Sequence, residues 1–436
     1  MQNKKKKYKL KRNKKTNYVP ALIALAVVIC VTIGLLCAAL IQSKKNETPQ
    51  LASNNETSQQ PVTEETTTSE PIVKIDVCMI GDMLIHEGVY KTGLESDGSY
   101  NFDHLFANIL TDLSSADMKI VNQETILGGT EMGLGGYPAF NSPQEIGDAE
   151  VKAGFNIILH ATNHTLDRGL SGVTNTINFW ETKHPDVAYL GIHDSEEDAK
   201  DIYVYEKEGF KVAVLNYTYG TNGIAIPSSA PYCVDTLDDE AKVRDDIQRA
   251  HQLAEMVIVC PHWGTEYVYD ATSYQEYWTN VFLEEGVDVV IGTHPHVIEP
   301  VEELTRDDGH KMVVYYSLGN FVSNQDEIPR MIGGMAKLTL CKKGDTASIE
   351  SYSFEPVVTH KRYGYKEITT YKLSDYTQEL ASQNKILSDP TCCYTGYFGC
   401  LCGATLFDYP THGPSNFSVE YCKQFCRAVL GDMYKE

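Results

Sequence analysis

The chain has 436 residues, 42% of them hydrophobic and 22% charged, with a formal net charge of −22. That length allows more than one domain at roughly 100–200 residues each. The acidic balance argues against binding nucleic acid, or an anionic polymer through broad electrostatics, while leaving room for a local cationic site around a metal.

Nine of the 37 basic residues fall in the first 17 positions, which hold no acid. Ala21–Ile41 follows as an uncharged apolar run of 21 residues, long enough to cross a bilayer core of about 30 Å. The basic cluster predicts residues 1–17 as a cytoplasmic segment and 18–42 as an uncleaved, single-pass anchor in the cell membrane, with the main domain extracellular. Leu36 is bulky where a lipoprotein signal at Cys37 wants a small residue. Past residue 17 the chain carries 28 basic against 59 acidic residues, near −31. Residues 43–71 are polar and aperiodic, which reads as a disordered tether.

The expected globular domain covers residues 72–360. Candidate buried strands are Val77–Ile80, Met118–Val121, Ile157–Leu159, Met256–Cys260 and Val287–Ile291. Candidate helices are Phe102–Ser114, Pro143–Ala153, Gly169–Lys183, Asp238–Ala254 and Ser273–Glu285. Their alternation predicts a layered α/β domain with parallel pairing. From Lys311 the runs Lys311–Tyr316, Gly334–Cys341 and Ala347–Phe354 succeed one another with tight turns, predicting a largely antiparallel second sheet. Residues 361–436 read as an extension, with a helix over Tyr371–Asn384 and a cysteine-rich tail. Cys392, Cys393, Cys400, Cys402, Cys422 and Cys426 crowd there, which favours disulfides over zinc in an extracellular setting.

Short polar groups end the apolar runs: Asp82 and His86, Glu124, Asn163-His164, His262 and His294-Pro295-His296. The carboxyl ends of parallel strands form the crevice of an open α/β sheet, so these groups are expected to converge. Asp82, His86, Glu124, Asn163, His262, His294 and His296 are candidate metal ligands, since imidazole with carboxylate suits Mn, Zn or Fe. Two histidines one residue apart in an extended segment point the same way. His164 and His262 are candidate acids or orienting groups, Asp167 a candidate to orient an imidazole, and Glu266 a cleft candidate. Asn320 is a candidate to hydrogen-bond the substrate. Trp263 reads as structural, and His160 is expected on the other side of its strand. Each of these has a plain alternative, an N-cap or a solvated loop residue.

Gly81-Asp82, Asn122-Gln123-Glu124, Asn163-His164-x-x-Asp167-x-Gly169, His262-Trp263-Gly264-x-Glu266-Tyr267, Gly292-x-His294-Pro295-His296-Val297 and Tyr316-Ser317-Leu318-Gly319-Asn320-Phe321 resemble the CapA family. These are bacterial capsule-synthesis proteins linked to poly-γ-glutamate, and the resemblance spans roughly Ile75–Phe354. It implies the calcineurin-like metallophosphoesterase fold, a sandwich of two mixed β-sheets flanked by helices. It also implies a cleft lined by Asp82, Asn163, His164, His262, His294 and His296, holding one or two divalent ions. Such proteins usually open with Asp-x-His, whereas here Leu84 stands two residues after Asp82 and His86 two further on. Thr162-Asn163-His164 replaces the Asn-Asn-His of many relatives. The expectation is a membrane-tethered, extracytoplasmic protein acting in capsule production or attachment, with synthase subunits as partners and an anionic polymer or phosphoester as substrate. A non-catalytic polymer-binding scaffold and a surface metal-dependent phosphoesterase are the alternatives.

Overall fold

Residue-by-residue alternation of apolar side chains builds two sheets that share one core. A computed structural model describes residues 71–325, 327–362, 367–384 and 417–436, all within the unit Ser69–Glu436. The expected cytoplasmic segment, anchor and nearly all of the tether lie outside the described residues. No helix among the described residues is long and apolar enough to cross a membrane.

The strands in chain order are β1 (Ile72–Met83), β2 (Met118–Asn122), β3 (Ile157–Leu159), β4 (Ala188–Leu190), β5 (Tyr203–Lys207), β6 (Phe210–Thr218) and β7 (Met256–His262). They continue as β8 (Val289–Ile291), β9 (Val301–Thr305), β10 (Lys311–Tyr315), β11 (Asn320–Val322), β12 (Ile332–Lys343), β13 (Thr346–Lys361) and β14 (Ile368–Lys372). One sheet has the order β14-β13-β12-β1-β2-β3-β4, with β11 beside the end of β1; the other is β5-β6-β7-β8-β10-β9. Both are mixed. The runs β1 to β4 and β6-β7-β8-β10 are parallel, and β12, β13, β14, β5 and β9 pair antiparallel.

Side chains on successive strand residues point to opposite faces, and the core divides accordingly. Ile75, Val77 and Met79 of β1 join Met256, Ile258 and Cys260 of β7 in the core between the sheets. Their neighbours Cys78 and Ile80 turn outward to a second core with Ile146 and Ala149 of α1 (Glu145–Ala153) and Trp180 of α2 (Gly169–Lys183). On the other sheet, Val257 and Val259 meet Val243 and Ile247 of α3 (Glu240–Leu253) and Trp278 and Phe282 of α4 (Ser273–Glu284). The result is two sheets facing each other with helices outside.

The structure corrects four expectations. The strands after Lys311 form no sheet of their own: β10 completes the β7-β8 sheet, while β12 pairs with β1 and β13 lies outside β12. Phe102–Ser114 keeps its apolar spacing but breaks into a 3-10 turn, Asp103–Leu105, and a short helix, Leu110–Ser114. Asn108 between them donates to Thr369 Oγ1 and Thr370 O, tying the break to β14. Tyr371–Asn384 is not one helix, because Ile368–Lys372 pairs with β13, and helix resumes only at Gln378–Gln383 under a Thr377 cap. No disulfide joins the described cysteines. Cys422 and Cys426 are free thiols, one turn apart on α5 (Val419–Leu430) and packed with Phe417, Tyr421 and Phe425 as small hydrophobes. The other four tail cysteines lie outside the described residues.

Close backbone approach positions the strand ends. A Cβ on Gly292 would lie 2.1 Å from Tyr316 O and 2.3 Å from Trp263 Nε1. Gly292→Ala is therefore expected to lower stability by about 1–3 kcal/mol, the usual cost of overpacking; an unchanged urea midpoint would contradict this. Farther from the strand ends, His193 lies 3.3 Å from Asp198 and 2.7 Å from Asp235, which also accepts from Lys242 of α3. Burial opposes its charging, but the two carboxylates outweigh burial and raise its pKa to about 9. A raised folded pKa stabilises fully below the unfolded value of about 6.5. The stability difference between wild type and His193→Gln is thus expected to be largest at pH 6 and to shrink as pH rises through 9; a difference that grows with pH contradicts the pairing.

Candidate metal centre

Parallel strands deliver their last residues to one rim, and here β1, β2, β7 and the segment after β8 deliver acids and imidazoles. Asp82 near the end of β1 is fully buried. Its Oδ1 accepts from Asn122 Nδ2 at 2.9 Å and from the His294 N–H at 3.3 Å, and its Oδ2 stands 3.1 Å from His296 Nδ1. Glu124, just past β2, is 1% exposed, and neither carboxylate oxygen has a hydrogen-bond partner. Its Oε1 lies 3.8 Å from His262 Nε2 and 3.6 Å from His296 Nε2. Burial, and then repulsion from Asp82, hold its pKa well above the carboxylate range.

His262 ends β7 with no exposure. Its Nε2 faces the site, 2.9 Å from Asn163 Oδ1 and 3.8 Å from Glu124 Oε1. Its Nδ1 lies 3.0 Å from the Thr293 hydroxyl, which can hold the ring proton there and leave Nε2 free to bind a cation. His294 and His296 both occupy the left-handed backbone region, φ +102 and +59, so this segment is not the extended one expected. The twist nonetheless brings the rings into one site, with His294 4.8 Å from His262 and 5.9 Å from His296 between centroids. His294 Nδ1 is buried without a partner. Burial pushes the pKa of His262 and His294 well down, so both are neutral and available as donors.

Two donor sets follow, each with ligand atoms within 4.8 Å of one another: Glu124, His262 and His294, and Asp82, Glu124 and His296. Glu124 belongs to both. Two orphaned carboxylate oxygens and an orphaned imidazole nitrogen, sealed from water, fit a divalent cation, the one partner that would satisfy them together.

Asn163 reaches the site through His262, and its Nδ2 donates to Asn222 Oδ1 at 3.2 Å. His164 stands beside it, its Nδ1 2.7 Å from Asp167 Oδ2, as expected of an orienting carboxylate. The same Asp167 oxygen accepts the Phe140 N–H at 2.7 Å, and the Phe140 ring packs edge-on against His164 at 4.6 Å. His86 lies across that ring, 5.2 Å from Phe140, and belongs to neither donor set. Its Nδ1 faces Leu84 O and the Asn324 N–H, and burial lowers its pKa to about 4. Glu266 is exposed on the loop after β7, hydrogen-bonded to Tyr267. Asn320 is fully buried and gives its Nδ2 to His296 O, Gln325 Oε1 and Arg330 O, while its Oδ1 has no hydrogen-bond partner. His160 turns away and accepts from Trp180 Nε1, and Trp263 is buried with its Nε1 on Tyr316 O.

Sequence reasoning passed over Asn122, Asn222, Thr293 and Tyr219 as site residues. The Tyr219 ring lies 4.6 Å from that of His294, tilted by 43°, and a Glu208-Gly209 turn at φ +52 and +77 signals the hairpin that leads to it.

Residues 76–325 match the protein family described as Bacterial capsule synthesis protein PGA_cap. The capsule biosynthesis protein CapA of Bacillus anthracis is 26% identical over 327 residues, covering 72% of this chain and 71% of that protein. The PGA biosynthesis protein CapA of Bacillus subtilis (strain 168) is 32% identical over 173 residues, 39% of this chain and 43% of that protein. Among solved structures, a putative 5'-nucleotidase from Staphylococcus aureus in complex with alpha-ketoglutarate aligns over 66% of this chain and 55% of its own, with TM-score 0.44 and 15% identity. The calcineurin-like phosphoesterase YfkN from Bacillus subtilis aligns over 66% and 91%, with TM-score 0.38 and 13% identity.

Asp167→Ala leaves the Phe140 N–H and the His164 imidazole without their shared acceptor. It is expected to cost about 1–3 kcal/mol, the range for a buried group left unsatisfied. Denaturant unfolding checks this, and a loss below about 0.5 kcal/mol would show that the pair is not coupled.

Proposed function

The chain belongs to the bacterial capsule synthesis protein PGA_cap family, and from that membership we propose that it acts in making or attaching a poly-γ-glutamate capsule through a metal-dependent cleft. The observation that carries this reading is Glu124, a buried carboxylate without a partner that is common to two donor sets. A divalent cation held there, Mn, Zn or Fe by donor type, would polarise a phosphoryl or carbonyl oxygen and make a water nucleophilic near neutral pH.

The chain's own groups supply the rest. Asp82 fixes the His294 backbone and the His296 ring. Thr293 faces His262 Nδ1 and fixes the ring so that Nε2 points at Glu124 and Asn163. Asp167 holds the Nδ1 proton of His164, which leaves Nε2 as the atom that exchanges a proton with substrate. Phe140 shields that pair from water. The run Ala21–Ile41 supports tethering to the cytoplasmic membrane with the cleft outside the cell, beside synthase subunits.

One observation favours a second reading, a polymer-binding scaffold without turnover. Leu84 takes the place where an Asp-x-His opening would add an imidazole, and His86 stands off behind Phe140.

Elemental analysis of the full-length chain decides the metal question: bound divalent metal is expected, and it should be lost in Glu124→Gln. Turnover of phosphodiester or γ-glutamyl substrates should fall by more than about 100-fold, beyond what loss of supporting groups alone costs. Absence of both metal and turnover in the wild type contradicts the enzymatic reading. Capsule output that survives a folded, localised His294→Ala, His296→Ala variant would leave the scaffold.

A further inference from the structure

The strand β6 ends at Thr218, and the short loop that follows touches four residues of the site. The Tyr219 N–H donates to His262 O at 2.9 Å, and the Tyr219 ring lies 4.6 Å from that of His294. Asn222 Oδ1 accepts from Asn163 Nδ2 at 3.2 Å and from the Tyr219 hydroxyl at 3.4 Å. Its Nδ2 stands 3.4 Å from His164 Nδ1.

Asn222 adopts φ +51 and Gly223 φ +75, left-handed geometry that asparagine and glycine tolerate and a β-branched residue does not. The turn is closed by the Ile224 N–H on Thr221 O at 2.9 Å and by the Thr221 hydroxyl on Ile224 O at 2.6 Å. Asn222 is itself exposed, so this turn and its amide contacts place it, not core packing.

A side-chain amide has one donating end and one accepting end. Because Asn163 Nδ2 is taken by Asn222, Oδ1 is the end presented to His262 Nε2 at 2.9 Å. Thr293 faces the other nitrogen of that ring, and Glu124 Oε1 lies 3.8 Å from Nε2. Two oxygen acceptors thus face a ring nitrogen that has no proton to share, an arrangement that a cation relieves. Without Asn222 the Asn163 amide is free to turn over. Its Nδ2 would then donate to His262 Nε2 and close that nitrogen to a cation.

We propose that Asn222 is a positioning residue for the metal centre, holding the Asn163 amide with Oδ1 toward the cation and thereby setting metal affinity. This rests on the reading of the cleft as a metal site and deepens it, since Asn222 lies outside both donor sets. Tyr219 braces the same amide: its hydroxyl shares the Asn222 oxygen while its backbone is tied to His262.

The test is competition between the purified full-length chain and a chromophoric chelator for manganese and, in a second series, for zinc. Urea unfolding of the metal-free protein is measured on the same samples. Asn222→Ala is expected to weaken metal binding about tenfold, the lower end for losing a group that orients a ligand. Its urea midpoint is expected to stay unchanged, because the side chain is exposed. Asn222→Asp keeps an oxygen that accepts from Asn163 Nδ2 and is expected to bind within about threefold of the wild type. The proposal is overturned if Asn222→Ala binds as tightly as the wild type, if it weakens only together with a lowered midpoint, or if Asn222→Asp is as weak as Asn222→Ala. Wild-type protein that binds neither ion overturns both this proposal and the metal-dependent reading. Wild-type protein that binds metal no better than Asn222→Ala overturns this proposal alone.

Discussion

A buried carboxylate with nothing to pair with is the constraint around which the strand ends are arranged. Taking a charge out of water costs several kcal/mol even after relaxation, and Glu124 has no hydrogen bond to offset that. Asp82 adds repulsion instead of relief. His262 and His294 are kept neutral by their own burial. A sequence that places these groups together in a sealed pocket is unfavourable unless a cation completes it.

That pocket is held by backbone rather than by flexible side chains. Gly81 lets β1 meet β11: a Cβ there would stand 2.0 Å from Gly319 O, to which the Asp82 N–H donates at 2.9 Å. Gly292 allows the same approach where β8 meets the Tyr316 backbone. His294 and His296 accept left-handed geometry, and the Asp82 carboxylate fixes one by its backbone and the other by its ring. Because both sheets share one core, the ends of β1 and β2 are registered against the end of β7. The site inherits the rigidity of that core.

Much of this was legible in the residues, and the reason differs from element to element. Gly169–Lys183 and Ile157–Leu159 were read to the residue, since each is bounded by turn signals and carries a clean apolar pattern. Convergence of Asp82, Glu124, Asn163, His262, His294 and His296 followed from the rule that parallel strands share a rim. Sheet membership after Lys311 was not legible: period-two alternation shows that a segment is a strand but not which partner it takes, and β12 sits beside β1, hundreds of positions earlier, with β13 on its outer side. His86 and Asn320 illustrate the same gap at the site. Both have the right chemistry at the right place in the pattern, yet Phe140 stands in front of one, and three internal acceptors consume the donor of the other and leave its Oδ1 unpaired.

Anomalous diffraction from a crystal of the metal-loaded protein, collected at the absorption edge of the bound metal, tests the central claim most directly. The account expects density in contact with the Glu124 carboxylate, flanked by His262 and His294 on one side or by Asp82 and His296 on the other. A map in which Glu124 stays without a cation, with metal absent or held elsewhere, contradicts it.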